Sequence, residues 1–127
     1  MHEAKVNLKI LDIENIKLPS INNKFGLHKK RLRLFVLNDY SDFKMLIHDY
    51  AITTVAGQER IEPPYHIRIA YSGYVDIDAF EKPLLDGLES SGVIENDRYV
   101  QKLTIEKTPL KRGQPGNLEV WLEQYEQ

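Results

Sequence analysis

Three aspartates are the residues in this chain best suited to chemistry. Asp76 and Asp78 are two positions apart, just after a segment of alternating apolar residues, and Asp97 lies in a predicted turn further on. In extended backbone, residues i and i+2 point to the same side about 6.6 Å apart, so the first two carboxylates can face one small volume. Mg²⁺ binds carboxylate oxygens and needs two or three of them when water and substrate phosphate complete its shell. The spacing therefore indicates a candidate Mg²⁺ site at these three aspartates.

A lysine and a further aspartate follow at helical spacing. Lys82 comes four residues after Asp78, so it shares that face of a predicted helix and can neutralise charge on a phosphate. An ion pair at i, i+4 explains the same spacing, and Asp86 either orients Lys82 or is simply solvated. The carboxylates also have structural interpretations, because Asp78 with Glu81 has capping-box spacing and Asp97 stands where turns favour Asx residues. The residues alone leave both interpretations open.

Other common catalytic centres are not encoded in this sequence. The chain has no cysteine, which excludes disulfides, thiolate zinc sites and cysteine nucleophiles. The histidines at positions 2, 28, 48 and 66 lack the spacing of a zinc-binding pair, and neither a glycine-rich phosphate loop nor a G-x-S-x-G motif occurs. The sequence therefore predicts no zinc site, no thiol nucleophile and no serine nucleophile elbow.

Positive charge is concentrated in two segments, although the net charge is −2. Residues 15–38 contain no acidic residue and carry a series of cations: Lys17, Lys24, Lys29, Lys30, Arg31 and Arg33. Residues 107–117 are also free of acids and include three further cations: Lys107, Lys111 and Arg112. Nearby charges count most, because salt screens over about 10 Å at 0.1 M. The segments are candidate phosphate-binding surfaces, and the alternative is that they are merely solvated.

Periodicity predicts how these residues are positioned. Alternation and apolar runs predict strands at 5–18 with a bulge or turn near residue 12, at 32–37, at 66–71, at 98–107 and at 117–125. Apolar stripes predict one helix from Ser41 to about Gly57 and another from Asp78 to about Gly92, with Pro83 causing a kink or a short first turn. The last two strands are predicted to form an antiparallel hairpin.

Size and composition place these elements in one domain. The chain has 127 residues, 42% of them hydrophobic and 28% charged, which is typical of one globular domain spanning residues 1–127. The element order predicts an α/β (α+β) class, with a mixed sheet flanked by two main helices. No apolar run approaches the ~20 residues of a membrane span, so we expect a cytoplasmic protein without a membrane partner.

Several motifs together resemble the RusA family of Holliday junction resolvases. The family pattern D-x-D-N, a lysine three residues later, D-x-L and G-x-x-x-D-D-x-x-V is similar to residues 76–82, 86–88 and 92–100. Residues 18–25 resemble the family's P-P-S-x-N loop. Two positions differ, because Ala79 replaces the Asn and Asn96 replaces the first Asp of the D-D pair.

The resemblance implies a Mg²⁺-dependent endonuclease that resolves four-way DNA junctions in recombination and repair. It implies a homodimer with one metal–carboxylate site per subunit, where Asp76, Asp78 and Asp97 bind the metal and Lys82 is the essential basic residue. The basic stretch after the Asn loop then becomes a DNA-contacting surface, with these candidate residues: Asn22, Asn23, Lys24, Lys29, Lys30, Arg31 and Arg33.

Two other functions stay open at this point. The substitutions at Ala79 and Asn96 are compatible with a non-catalytic junction-binding protein on the same scaffold. An oligomeric interaction protein without a nucleic-acid role is the third possibility. Trp121 lies on the polar face of the last strand, where it either marks a dimer contact or packs under the stems of Lys or Arg.

Overall fold

A mixed four-stranded sheet is the framework of this chain. The computed structural model describes the backbone of residues 7–19 and 29–125, and the side chains of residues 7–19 and 40–125. The elements, in chain order, are β1 (Asn7–Ile16), α1 (Lys29–Val55), β2 (Tyr65–Gly73), a 3₁₀ turn (Ile77–Ala79), α2 (Glu81–Ser90), a second 3₁₀ turn (Asp97–Tyr99), β3 (Val100–Pro109) and β4 (Gly116–Gln124). The strand order is β1-β4-β2-β3. The predicted α+β class, with a mixed sheet and two main helices, is confirmed.

The pairing of the last two strands differs from the prediction. β2 and β3 are parallel neighbours joined through α2, while β4 runs antiparallel to both β2 and β1. The predicted β3–β4 hairpin is wrong, because β2 lies between these strands. The Leu110 amide donates to the carbonyl of Gly73, and a Cβ at Gly116 would collide with the carbonyl of Ser72. The connection therefore passes closely over the end of β2.

The first helix is longer than its periodicity indicated. The run 32–37, predicted as a strand, belongs to α1, and Ser41 lies inside the helix instead of capping it. A short apolar run fits a helix as well as a strand, so periodicity alone does not distinguish them. The predicted end is confirmed, because α1 stops at Val55 and Gly57 has the positive φ of 79° that suits a helix terminus.

Both helices pack their predicted apolar stripes on one face of the sheet. Phe43, Ile47 and Ala51 of α1 are buried with Leu84 and Leu88 of α2. Each large side chain buried in this way stabilises the fold by roughly 1.5–3 kcal/mol relative to exposure. The packing fixes α2, and hence the residues on both sides of it, against the sheet.

Close approach of the two helices depends on one glycine. A Cβ at Gly87 would lie 2.7 Å from the Cβ of Ile47 and 2.9 Å from the carbonyl oxygen of Lys44.

Within the described residues, no helix is long and apolar enough to cross a membrane.

The other face of the sheet is polar. Trp121 lies there between two cations, with Lys9 Nζ 5.4 Å and Arg68 Cζ 5.2 Å from the indole ring centroid. Of the two interpretations of Trp121, packing against Lys and Arg is the one that this structure shows. Cation–π attraction at such partly exposed sites contributes about 0.5–1 kcal/mol.

Candidate functional site

The first two candidate aspartates lie on the short turn that follows β2. Asp76 is the N-cap residue of the Ile77–Ala79 turn, and its carbonyl accepts from the Ala79 amide at 3.0 Å. The N-cap residue of α2 is Phe80, so the predicted capping box of Asp78 and Glu81 is wrong. Both aspartates are exposed, and in the described part of the chain neither carboxylate caps a helix.

Pro83 explains why the chain makes two short elements here. It is the third residue of α2, where a backbone N–H would have no partner within the helix. A proline in this position causes no kink, and the predicted short first turn corresponds to the Ile77–Ala79 turn.

The strand register brings a lysine to Asp76. Lys107 stands opposite Tyr71 in the β2–β3 pair, and its Nζ lies 2.9 Å from Asp76 Oδ1. This hydrogen bond raises the pKa of Lys107. Burial raises the pKa of Tyr71, and the negative charges of Asp76 and Asp78 add to the rise while Lys107 opposes it. We refer to Tyr71, Asp76, Asp78 and Lys107 as the Asp76 group.

Asp97 begins the second 3₁₀ turn, on the other side of α2. Its backbone N–H donates to Glu89 Oε1 at 3.0 Å. The side chain that closes the turn belongs to Asn96, which accepts from the Arg98 amide at 3.0 Å. The Asx role considered for Asp97 is therefore filled by Asn96, one of the two positions that differ from the RusA pattern.

Lys82 links Asp97 to α2. Its Nζ lies 3.2 Å from Asp86 Oδ1 and 3.9 Å from Asp97 Oδ2, so the predicted i, i+4 pair and the contact with a candidate site residue occur together. Burial raises the pKa of Asp86, and the nearby charges of Asp97 and Glu89 raise it further. We refer to Lys82, Asp86, Glu89 and Asp97 as the Lys82 group.

The three candidate metal ligands are divided between these two groups. Asp76 follows the carboxyl end of β2, whereas Asp97 precedes the amino end of β3, and the parallel pairing of these strands separates the two positions. Among the described residues, no set of three or more His, Asp or Glu side chains is close enough to hold one metal ion. Asp76 and Asp78 lie on one short element, but it is a 3₁₀ turn and not the extended backbone from which their common direction was predicted. Lys82 contacts Asp97.

A depression beside Asp76 was not identified from the sequence. It has a volume of about 340 Å³ and is lined in part by Lys17, Tyr74 and Arg112. The Tyr74 side chain is 56% exposed, which is high for an aromatic residue. The sequence did contain a signal for this depression. Tyr74 is an aromatic residue two positions before Asp76, and Lys17 and Arg112 belong to the two acid-free segments.

The predicted DNA-contacting residues are only partly described. Lys29, Lys30, Arg31 and Arg33 lie in the first turns of α1, and their side chains are outside the described residues. The loop residues Asn22, Asn23 and Lys24 are also outside them.

Comparison with known proteins adds no family assignment. The chain matches no protein-family model, and no curated protein matches it. The similarity to the RusA family therefore depends on the motifs and their spacing alone.

Proposed function

We propose that this chain is a Mg²⁺-dependent endonuclease that resolves four-way DNA junctions as a cytoplasmic homodimer. The observation that carries the proposal is the turn after β2, where Asp76 and Asp78 are two exposed carboxylates two positions apart on one short element. A cationic and aromatic depression lies beside this turn, at Lys17, Tyr74 and Arg112.

The donor atoms of this turn fit Mg²⁺. This ion takes oxygen ligands and is commonly bound by one or two carboxylates, with waters and substrate phosphate completing the shell. Asp76 and Asp78 would hold it together with waters and substrate phosphate, while Asp97, the third ligand predicted from the motif, lies beside Lys82 in the other group of side chains. Bound there, Mg²⁺ would supply activation of a water molecule and stabilisation of the leaving oxygen.

Two lysines lie where they could neutralise the negative charge of a substrate phosphate. Lys107 contacts Asp76, and Lys82 contacts Asp97, so each ammonium lies beside a candidate ligand. A compact ammonium placed where negative charge develops stabilises a phosphoryl transition state. We assign this role to Lys82, with Asp86 orienting it from the next helical turn at 3.2 Å.

The depression suits a distorted or unpaired nucleotide near a branch point. Tyr74 offers an exposed ring for base stacking, while Lys17 and Arg112 offer cations to the backbone. Stacking of one base on an aromatic side chain contributes about 1–3 kcal/mol. From the sequence alone we propose further DNA contacts at these residues: Asn22, Asn23, Lys24, Lys29, Lys30, Arg31 and Arg33.

A synthetic four-way junction tests this proposal directly. Purified protein is incubated with labelled junction, with a linear duplex of the same sequence, and with either Mg²⁺ or EDTA. We expect Mg²⁺-dependent cleavage of the junction and little cleavage of the duplex. Cleavage that persists in EDTA, or equal cleavage of both substrates, contradicts the proposal.

A non-catalytic junction-binding protein is the second candidate. The observation that favours it is that Asp76 and Asp97 each pair with a lysine, Lys107 at 2.9 Å and Lys82 at 3.9 Å. Such pairs compensate the carboxylates without a metal. A junction-specific gel shift in Mg²⁺ without any nicking would select this function over the nuclease.

A further inference from the structure

The outer edge of β3 is an exposed strand edge. β3 is the terminal strand of the sheet, and within the described chain it pairs with β2 alone. It runs for ten residues, most of them exposed, and proline occurs only at its last position, Pro109. A long edge with unpaired N–H and C=O groups is a template for another strand.

We propose that two copies of this chain pair antiparallel through β3, about a two-fold axis at Thr104. The two sheets would join into one sheet of eight strands with the same face outward. Such a contact is isologous, since each residue of one copy meets the symmetry-related residue of the other. The partner is therefore a second copy of this chain.

Charge complementarity selects this register. In the pairing centred on Thr104, Lys102 stands opposite the partner's Glu106, and Leu103 stands opposite the partner's Ile105. Two-fold symmetry makes each of these pairs occur twice. Directly opposed unlike charges and apolar pairs stabilise antiparallel strands, and like charges destabilise them.

Neighbouring registers lack this match. A two-fold axis at Lys102 places lysine opposite lysine, and an axis at Glu106 places glutamate opposite glutamate. Intermediate registers that keep the same face outward, centred on residues 103 and 105, pair Lys102 with threonine instead of glutamate. Charges on an edge strand usually repel foreign strands. Here their order within residues 102–106 attracts a second copy.

The surroundings of these residues agree with the proposal. Ile105 is 37% exposed on the apolar side of an edge strand. The Glu106 side chain is 66% exposed at the strand edge, and its carboxylate also lies 3.6 Å from Arg68 of β2. Lys102 is exposed and has no acidic side chain within 4.0 Å among the described residues. Its ammonium is available to the partner's Glu106.

The size of the contact sets its strength. One pair of edge strands buries less than the roughly 1,600 Å² of a standard stable interface, so we expect a dissociation constant on the order of micromolar. The inference does not rest on nuclease activity, because dimerisation is measured without DNA. A parent chain that cleaves junctions but stays monomeric would overturn β3 pairing alone, whereas a parent chain that dimerises through β3 without cleaving DNA would overturn the nuclease proposal alone.

Charge reversal tests the register. The dimer dissociation constant is measured by sedimentation equilibrium for the full chain, Lys102→Glu, Glu106→Lys and the double variant, with Lys111→Glu as a loop control. We expect each single reversal to weaken the dimer about tenfold, because both symmetry-related pairs become repulsive. The double variant exchanges the charges and should return to within about threefold of the parent chain. A monomeric parent chain at high micromolar concentration, or a double variant weaker than either single one, overturns the proposal.

Cross-linking tests the axis independently of charge. The chain has no cysteine, so Thr104→Cys carries one thiol per copy. Opposed residues in antiparallel strands have Cα atoms about 4.5–5.5 Å apart, within disulfide range. Two thiols lose two electrons and two protons to added diamide and form one disulfide between the copies. We expect most Thr104→Cys protein to become covalent dimer, while the exposed control Asp49→Cys stays monomeric. Equal cross-linking of both variants contradicts the axis.

Discussion

The Asp76 group and the Lys82 group contain the same kinds of side chain in different settings. The Asp76 group lies on an exposed turn after a strand, where the Asp76 side chain is 82% exposed and has one lysine partner. In the Lys82 group, Asp86 is 21% and Asp97 34% exposed, and both lie beside the same ammonium. An exposed carboxylate is accessible to a hydrated Mg²⁺ ion. Neighbouring, partly buried carboxylates repel each other, and the lysine ammonium between them reduces that repulsion. Under the proposed function, we therefore expect the first group to bind the metal and the second to position charge.

Removing one carboxylate from the Asp76 group should have the largest effect. Asp78→Asn is expected to lower cleavage at least about hundredfold, because a metal ligand and its charge are lost. Junction binding should stay within about twofold, since phosphate contacts by Lys and Arg do not need the metal. Single-turnover cleavage and gel shifts measure the two quantities, with Asp49→Asn on α1 as the matched control. Retained turnover would remove Asp78 from the mechanism.

The corresponding change in the Lys82 group tests charge positioning. Lys82→Ala is expected to lower cleavage about 10- to 100-fold at unchanged Mg²⁺ affinity, because the ammonium acts on developing charge. Lys82→Arg should restore part of the rate. Isothermal titration with Mg²⁺ gives the metal affinity, and cleavage at saturating Mg²⁺ gives the rate. A fall in metal affinity that accounts for the whole loss would contradict the division between the two groups.

The packing of α2 against α1 provides a way to disturb the helix that carries the Lys82 group. Gly87→Ala places a Cβ 2.7 Å from Ile47, so α2 must shift from α1 and carry Lys82 and Asp86 with it. We expect a loss of about 1–3 kcal/mol in the free energy of unfolding, as for overpacking elsewhere. Alanine at an exposed helical glycine would instead gain about 0.5–1 kcal/mol. Urea unfolding therefore tests the contact by the sign of the change.

Local patterns predicted much of the fold. The alternation in β2 and the stripe of Phe80, Leu84 and Leu88 identify these elements. Burial of one face makes the residues on that face apolar and those on the other face polar, and this difference is visible within a few residues. The wrong β3–β4 hairpin shows the limit, since turn composition does not say which strand lies alongside. The start of α1 was not predicted, because residues 32–37 are nearly all apolar. Such a run has no polar face from which a helical or strand period could be recognised.

The candidate site was predictable in its residue types and in the local pair of Lys82 with Asp86, but not in its long-range pairings. Asp76 and Asp78 stand out through their spacing, and Lys82 through its position relative to Asp78. The contact of Lys107 with Asp76 crosses 31 positions and follows from the β2–β3 register. Asn96 closes the turn that was assigned to Asp97, because either neighbour satisfies the same sequence rule.

The depression beside the Asp76 group should affect binding more than chemistry. Lys17→Ala and Arg112→Ala are each expected to weaken junction binding a few-fold and to reduce the slope of log K against log salt by about 1. The maximal cleavage rate at saturating protein should be preserved. Lys44→Ala on α1 is the control. Gel shifts across a salt series supply both slope and affinity, and an unchanged slope would exclude these cations from phosphate contact.

The smallest expected effect concerns charge crowding in the Lys82 group. Burial raises the pKa of Asp86 in the folded state, and Asp97 and Glu89 raise it further, so its ionisation disfavours folding. The folded state then binds more protons than the unfolded state, and stability falls as the pH rises from the unfolded pKa through the folded one. Asp86→Asn removes this loss and should raise the free energy of unfolding at pH 7 by less than about 1 kcal/mol, since water still reaches the group.

The gain from Asp86→Asn should disappear at acid pH, where the parent carboxyl group is already protonated. Thermal unfolding at pH 7 and at pH 3 measures both ends of this range. In the Asp76 group, Asp78→Asn should show no comparable gain, because that carboxylate is exposed. A lower stability of Asp86→Asn at pH 7 would mean that the ion pair with Lys82 outweighs the crowding. In both groups the attraction between lysine and carboxylate would then exceed the repulsion between carboxylates, and the groups would differ only in their exposure to solvent.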